Sequence, residues 1–170
     1  MQTKPYTIRQ ARPEDLPELP IIENAAAEPF RATPYAWLID ETPVTTHVDL
    51  GHEYVWVVAD AADRPIAFAV VHLHADAVHL HELDVHPRHA RQGLGRRLID
   101  TVAEWARARG ATALTLTTFD DIPWNGPYYA RLGFRTLDVA TLNPDLRAVR
   151  QAEGENGLPL EHRLCMQLDL

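Results

Sequence analysis

Apolar residues occur along the chain in short segments. In some segments their spacing is that of a strand, and in others it is that of a helix. Residues 54–59 (YVWVVA) are aromatic and β-branched, which is typical of a strand. Residues 95–109 repeat apolar side chains at helical spacing, beginning with Leu98, Ile99 and Val102, with arginines opposite. The pattern predicts strands at Thr7–Arg9, Tyr54–Ala59, Ile66–His74, Val78–Val85, Ala113–Phe119 and His162–Leu168.

Helices are predicted from the same periodicity and from residues that start or stop a helix. Pro13 is followed by two acids, which favours a helix start, whereas Pro20 removes a backbone hydrogen bond from a continuous helix. Gly110 is a typical C-cap. Helices are predicted within residues 16–30 and at Ala36–Glu41, Gly95–Arg109, Trp124–Leu132 and Asn143–Ala152, with a loop at 42–53.

This order of elements predicts an α/β fold. A meander of strands followed by alternating strands and helices indicates a mixed sheet covered by helices. The chain of 170 residues has no repeat or linker, so we expect one domain over residues 1–170.

Composition and charge narrow the class of protein. Hydrophobic residues make up 46% of the chain, as in globular proteins, and no apolar run is long enough for a bilayer, so we expect no membrane partner. The net charge of −8 argues against a nucleic-acid partner. The single cysteine, Cys165, excludes an internal disulfide and a cysteine-based zinc site, and we expect a cytoplasmic location.

Residues 89–98 (HARQGLGRRL) place Gly93 and Gly95 between a predicted strand and a long helix. Backbone N–H groups at a helix start lack internal partners, and glycine lets a phosphate approach them closely. The stretch has no Gly-Lys-Ser/Thr and no third glycine, so it is neither a Walker nor a dinucleotide motif. Taken alone, two glycines at this spacing more often shape an ordinary turn, so the case for a phosphate site depends on the neighbouring residues.

The residues around this glycine segment resemble a known protein family. Residues 83–99 (LDVHPRHARQGLGRRLI) resemble the acetyl-CoA-binding motif of the GNAT N-acetyltransferase superfamily, and residues 124–134 (WNGPYYARLGF) resemble its second signature. Ala90 departs from the Arg or Gln usual in that family. The resemblance covers residues 6–170 and implies a mixed, mostly antiparallel central sheet with helices on both faces.

The resemblance also implies a function: transfer of acetyl from acetyl-CoA to a primary amine by direct attack in a ternary complex, without a metal. Val85 N–H would polarise the thioester carbonyl. Tyr129 matches the family tyrosine, and a phenol can protonate a departing thiolate; alternatively, Tyr129 is a packing residue. The residues expected to hold the cosubstrate are Leu83, Asp84, Val85, Arg91, Gln92, Gly93, Leu94, Gly95, Arg96 and Asn125.

The base that accepts the amine proton is left open between Glu82, a histidine and water. Strand alternation places Glu82 on the face opposite His79 and His81, unless a β-bulge exchanges the faces. Glu82 is equally interpretable as a structural carboxylate. Glu23, in the first predicted helix, is a further acidic candidate.

Four histidines lie on the predicted hairpin of Ile66–Val85. A turn at Asp76-Ala77 would place His74 opposite His79 and His72 opposite His81, all on one face. Four imidazoles could bind zinc, nickel or copper, or line the acceptor groove.

Two other functions are therefore weighed against the enzyme: a non-catalytic CoA-binding sensor or interaction module, and a metal-binding protein. The identity of the acceptor amine stays open, as does the oligomeric state, with a homodimer among the alternatives.

Overall fold

The computed structural model describes residues 6–41 and 48–170, in which seven strands form one sheet. The strands are β1 (Thr7–Gln10), β2 (Tyr54–Ala59), β3 (Pro65–Leu73), β4 (Ala77–Val85), β5 (Ala113–Phe119), β6 (Arg135–Thr136) and β7 (Arg163–Asp169). The α-helices are α1 (Leu19–Ala27), α2 (Trp37–Glu41), α3 (Leu94–Ala108), α4 (Gly126–Arg131) and α5 (Pro144–Glu155).

The strand order is β1-β2-β3-β4-β5-β7-β6. β4 and β5 pair in parallel, whereas β1 with β2, β2 with β3, and β7 with both β5 and β6 pair antiparallel. A mixed, mostly antiparallel sheet accompanied by helices confirms the predicted fold class. Within the described residues, the helices are too short or too polar to cross a membrane.

The helix predicted within residues 16–30 is divided into three pieces, and this is a correction. A 3-10 helix covers Pro13–Glu18, α1 covers Leu19–Ala27, and a second 3-10 helix covers Glu28–Ala32. Pro20 explains the first break, because it stands in the first turn of α1, where its missing N–H removes no helix bond.

The predicted loop at 42–53 is confirmed where the structure describes it, whereas the predicted hairpin turn needs a correction. Residues 42–47 of the predicted loop lie outside the described residues, and residues 48–53 form neither helix nor strand. The hairpin turn predicted at Asp76-Ala77 lies one residue earlier, because His74 N–H donates to Ala77 O and Ala77 already belongs to β4.

β4 contains an extra residue relative to its partner strand. The backbone bond of His74 to Ala77 closes the turn, and His86 N–H donates to Ile66 O at the other end. Between these two bonds, the β3 side of the hairpin spans eight residue steps, from 66 to 74. The β4 side spans nine steps, from 77 to 86. One additional residue in one strand of an antiparallel pair is a β-bulge.

The chain comprises two compact units, of which the first contains Met1–Val71 and Glu82–Val102. Its core packs Leu19 and Ile22 of α1 against buried side chains of β2 and β3, namely Val55, Val57, Phe68 and Val70. Arg9 of β1 donates to both oxygens of Asp15, at 2.6 and 3.0 Å, so the Arg9 guanidinium lowers the pKa of this buried carboxyl.

The second unit contains His72–His81 and Ala103–Leu170. One of its clusters joins Leu142 and Leu146 to Cys165. A partly buried ion pair ties α5 to β7, with Arg163 Nη2 at 2.6 Å from Glu153 Oε1.

Candidate active site

The candidate site begins at the end of β4. This strand pairs with β5 only from Ala77–Leu80 to Ala113–Leu116, although it continues to Val85. Within the described part of the chain, this ladder therefore ends before Leu83–Val85. Backbone N–H and C=O groups beyond the end of a ladder are those to which an extended ligand can add like a further strand.

The loop after β4 turns sharply into α3. Arg91 and Gly93 have positive φ angles of 57° and 74°, and α3 begins at Leu94. Gly95 is buried in the first helical turn, whereas Arg96 is exposed. The N–H groups of this turn have no intrahelical partner and lie at the positive end of the helix dipole.

Gly93 leaves open space beside this backbone. A Cβ built on Gly93 would meet no atom of the described residues within 4 Å. An anion such as a pyrophosphate can therefore approach the N–H groups of the loop and of the first helical turn. We name the segment from Arg91 to Arg96 the phosphate loop; it contains six of the ten residues predicted to hold the cosubstrate.

Three carboxyl groups lie together on β4 and α1. Glu82 shares hydrogen bonds with Asp84, two residues along the strand, and with Glu23 of α1. Burial raises the pKa of Glu82 strongly, and the neighbouring Asp84 and Glu23 carboxyls raise it further. Burial also raises the pKa values of Asp84 and Glu23. We call these residues the carboxyl trio.

The carboxyl trio titrates as a unit, because each carboxylate raises the cost of ionising its neighbours. Glu82 has the pKa that is raised furthest, so only a fraction of it is ionised at neutral pH, and that fraction grows as the pH rises. The second oxygen of Glu23, Oε2, is buried without a hydrogen-bond partner. The sequence pointed to Glu82 and Glu23 as acidic candidates, but to Asp84 only as a residue that holds the cosubstrate. The signal for its carboxyl was the strand period of two, which places it on the face of Glu82.

Asn125 precedes α4 in the second unit. Thr118 Oγ1 donates to Asn125 Oδ1 at 3.0 Å, which orients the amide. Asn125 Nδ2 is buried and has no hydrogen-bond partner. A buried donor without a partner costs about 1–3 kcal/mol, so this atom is suited to a ligand acceptor such as an amide carbonyl.

Tyr129 lies one turn further along α4 and is partly buried. Its ring makes edge contacts with Tyr128 and Phe134, with centroids 5.3 and 5.7 Å apart. Its backbone oxygen accepts from Phe134 N–H at 3.1 Å, which closes the turn after the helix. The Tyr129 ring is thus held by packing on two sides. Both a catalytic tyrosine and a packing tyrosine would have such contacts, so they are compatible with either role.

The four hairpin histidines stack in the predicted pairs. His72 and His81 have ring centroids 4.6 Å apart, and His74 and His79 have centroids 5.1 Å apart. Stacked rings present their faces to each other, whereas metal ligands direct ring nitrogens to a common point. Among the described residues, the group of three or more histidine, cysteine or acidic side chains that brings its ligand atoms within 4.8 Å of one another is Asp120, Asp121 and His162. The stack is therefore not arranged as a ligand set.

Comparison with known proteins decides the family. The sequence model of the Acetyltransferase (GNAT) family matches residues 19–134, which is more than half of the chain. The chain belongs to the GNAT acetyltransferase family. The matched range includes the carboxyl trio, the phosphate loop, Asn125 and Tyr129.

Solved structures share the GNAT fold at low sequence identity. The PaiA N-acetyltransferase of Thermoplasma acidophilum, in complex with coenzyme A, is 15% identical with a TM-score of 0.71, covering 98% of this chain and 99% of that one. The ribosomal-protein-S18-alanine N-acetyltransferase of Escherichia coli is 21% identical with a TM-score of 0.61, covering 96% and 93%. The N-acetylglutamate synthase of Neisseria gonorrhoeae, complexed with coenzyme A and N-acetyl-glutamate, is 19% identical with a TM-score of 0.68, covering 99% and 36%.

Each unit of this GNAT acetyltransferase contains a feature with its own ligand chemistry: the first suits a phosphate and the second suits an amide carbonyl. The open space beside Gly93 can admit a phosphate next to the N–H groups of α3. The buried Nδ2 of Asn125 is a donor that the described residues leave unsatisfied, and a pantetheine arm carries amide carbonyls. Both residues were named from sequence.

Proposed function

We propose that this chain transfers acetyl from acetyl-CoA to a primary amine by direct attack in a ternary complex. The observation that carries the proposal is the phosphate loop, where positive φ at Arg91 and Gly93 presents the start of α3 beside open space. Two solved structures of similar fold, the PaiA N-acetyltransferase and the N-acetylglutamate synthase, hold coenzyme A, which supports this choice of donor. The proposal includes a cytoplasmic location, supported by a single, buried cysteine, Cys165.

Binding of the donor is assigned to backbone groups. The backbone of Leu83, Asp84 and Val85 pairs with the pantetheine arm, because β5 does not use this part of β4. The phosphate loop binds the pyrophosphate, and Asn125 Nδ2 donates to the arm. Val85 N–H polarises the thioester carbonyl, which is the electrophile that acetyl-CoA supplies.

The carboxyl trio takes the proton of the acceptor ammonium. An ammonium with pKa near 10 is a far weaker acid than an ordinary carboxyl with pKa near 4, so proton transfer to a carboxylate is uphill. The raised pKa values of the carboxyl trio reduce that difference. The neutral amine attacks the thioester carbonyl and forms the new C–N bond, the C–S bond breaks, and Tyr129 donates its phenol proton to the thiolate. The second proton, lost by the nitrogen as the amide forms, restores the Tyr129 phenol.

His79 is a poorer candidate for the base than the carboxyl trio. His79 is only 1% exposed, its Nδ1 lies 3.0 Å from Thr115 Oγ1, and burial lowers its pKa to about 3. A ring buried in this way neither reaches an acceptor nor holds a proton at neutral pH. These properties favour the carboxyl trio over His79 as the base.

The test is a binding measurement followed by a screen. We expect acetyl-CoA to raise the melting temperature by mass action and to release free thiol with at least one amine. The panel comprises aminoglycosides, polyamines, amino acids, lysine peptides and peptides with free N-termini. Binding without thiol release across the panel would favour the CoA-binding sensor, and absence of binding would contradict both functions.

A further inference from the structure

Tyr6 connects the segment before β1 to the phosphate loop. Its hydroxyl donates to Gln92 Oε1 at 2.8 Å and lies 3.5 Å from His89 Nδ1. Its ring also meets the edge of the His89 ring, with centroids 6.2 Å apart. Tyr6 therefore contacts one residue on each side of Arg91.

Arg91 needs such support because of its backbone conformation. Its φ of 57° is uncommon for a residue with a Cβ, and conformations of this kind persist where surrounding contacts hold them. Arg91 is exposed, so core packing does not hold it. The contacts of Tyr6 with His89 and Gln92 restrict the backbone on both sides of it.

We propose that Tyr6 is a positioning residue for the phosphates of acetyl-CoA and that it acts through Gln92. The hydrogen bond holds the backbone from Arg91 to Gly93 in its binding conformation before the ligand arrives, which reduces the ordering that binding must impose. This inference rests on the proposed function, because it requires the phosphate loop to bind coenzyme A.

The main experiment measures the Kd of coenzyme A by calorimetry for wild type, Tyr6→Phe, Gln92→Ala and the double variant. Tyr6→Phe should weaken binding about three- to tenfold, the scale of one hydrogen bond. In the Gln92→Ala background, the same substitution should have no further effect, because the acceptor is already absent. Tyr54→Phe on β2 is the matched control, and its Kd should equal that of wild type.

A second measurement separates positioning of the phosphates from a general structural role. Acetyl-pantetheine carries the thioester and the arm without the phosphates. The loss of kcat/KM in Tyr6→Phe should be three- to tenfold larger with acetyl-CoA than with acetyl-pantetheine. An equal loss with both donors would overturn the proposal.

The remaining outcomes also decide the question. A Tyr6→Phe effect that persists in Gln92→Ala would overturn the route through Gln92. An unchanged Kd in Tyr6→Phe, with wild type binding coenzyme A, would overturn the role of Tyr6 and leave the proposed function intact. Failure of wild type to bind coenzyme A would overturn both.

Discussion

His74 and His79 stack almost face to face, with their ring planes 9° from parallel and their centroids 5.1 Å apart. His79 is buried and His74 Nδ1 is buried without a hydrogen-bond partner. Protonation of either ring would place a charge against its neighbour. Burial is the main reason that the pKa values of both are lowered, with a smaller contribution from nearby histidines.

This arrangement predicts acid-sensitive stability. Because the pKa of His79 falls from its ordinary value of 6.5 to about 3 on folding, the unfolded chain binds more protons between these values. The free energy of unfolding should therefore fall as the pH drops below 6.5, by about 1 kcal/mol from His79 between pH 7.5 and 5.5. Urea titrations at both pH values measure this difference.

Replacement of the His79 ring tests whether this histidine causes the loss of stability at low pH. His79→Gln cannot titrate, so the difference between the two pH values should shrink. The groups that face the pair, Thr115, His72, His81 and Asp145, are unchanged in this variant. His52→Gln is the control, because His52 is exposed and paired with Asp49. An undiminished difference in His79→Gln would contradict the assignment.

Gly93 gives the second prediction. Gly93→Ala should remove most of the thermal shift produced by acetyl-CoA, because the new Cβ occupies the space beside the phosphate loop. The substitution also strains a residue at φ 74°, at a cost of about 1 kcal/mol. Gly110→Ala is a matched control, since Gly110 has φ 80° and equally open surroundings at the end of α3. A retained shift in Gly93→Ala would argue against this binding site.

Tyr129 gives the third prediction. Tyr129→Phe removes the hydroxyl and keeps the ring contacts with Tyr128 and Phe134, so melting temperature and coenzyme A affinity should hold. Turnover should fall on the order of 10²-fold, the usual scale for loss of a general acid. Tyr128→Phe makes the same change one residue away and should leave turnover near that of wild type. Full activity in Tyr129→Phe would assign Tyr129 to packing.

Local features of the sequence predicted most of the strands well. β2 and β5 have the predicted bounds because their apolar, β-branched runs are bordered by polar residues. The phosphate loop could be proposed from sequence because its residues are contiguous and the family resemblance covers them, and its binding role stays a prediction. By contrast, β6 has only two exposed residues, so no alternation marked it.

Contacts between distant polar residues were not predictable in the same way. Tyr6 reaches Gln92 through one hydroxyl, and no periodicity relates the two positions. The carboxyl trio was visible only in part, since Glu82 and Asp84 share a strand face, whereas their contact with Glu23 depends on how α1 packs on the sheet. Such sites require the tertiary structure.

Glu82 gives the last prediction, beginning with stability. The pKa of Glu82 is raised on folding. Its contribution to the free energy of unfolding is therefore fully present at pH values below the ordinary pKa of a glutamate, and it is lost as the pH rises towards the folded pKa. Glu82→Gln resembles the protonated acid and keeps the hydrogen bonds to Asp84 and Glu23. Its free energy of unfolding at pH 8 should therefore equal or exceed that of wild type. A clearly less stable variant would instead indicate a structural carboxylate.

The activity of Glu82→Gln tests its role as base. The ionised form of Glu82 is the base, so wild-type kcat/KM should rise with pH as this form becomes more abundant. Glutamine cannot accept a proton, so kcat/KM of Glu82→Gln should fall on the order of 10²-fold at pH 7 and partly recover towards pH 10, where more amine arrives neutral. Glu23→Gln should retain the pH dependence but shift it to lower pH, because removing a neighbouring negative charge lowers the pKa of Glu82. A loss in Glu82→Gln that is the same at every pH would exclude the general-base role, and wild-type activity would assign proton transfer to another group or to water.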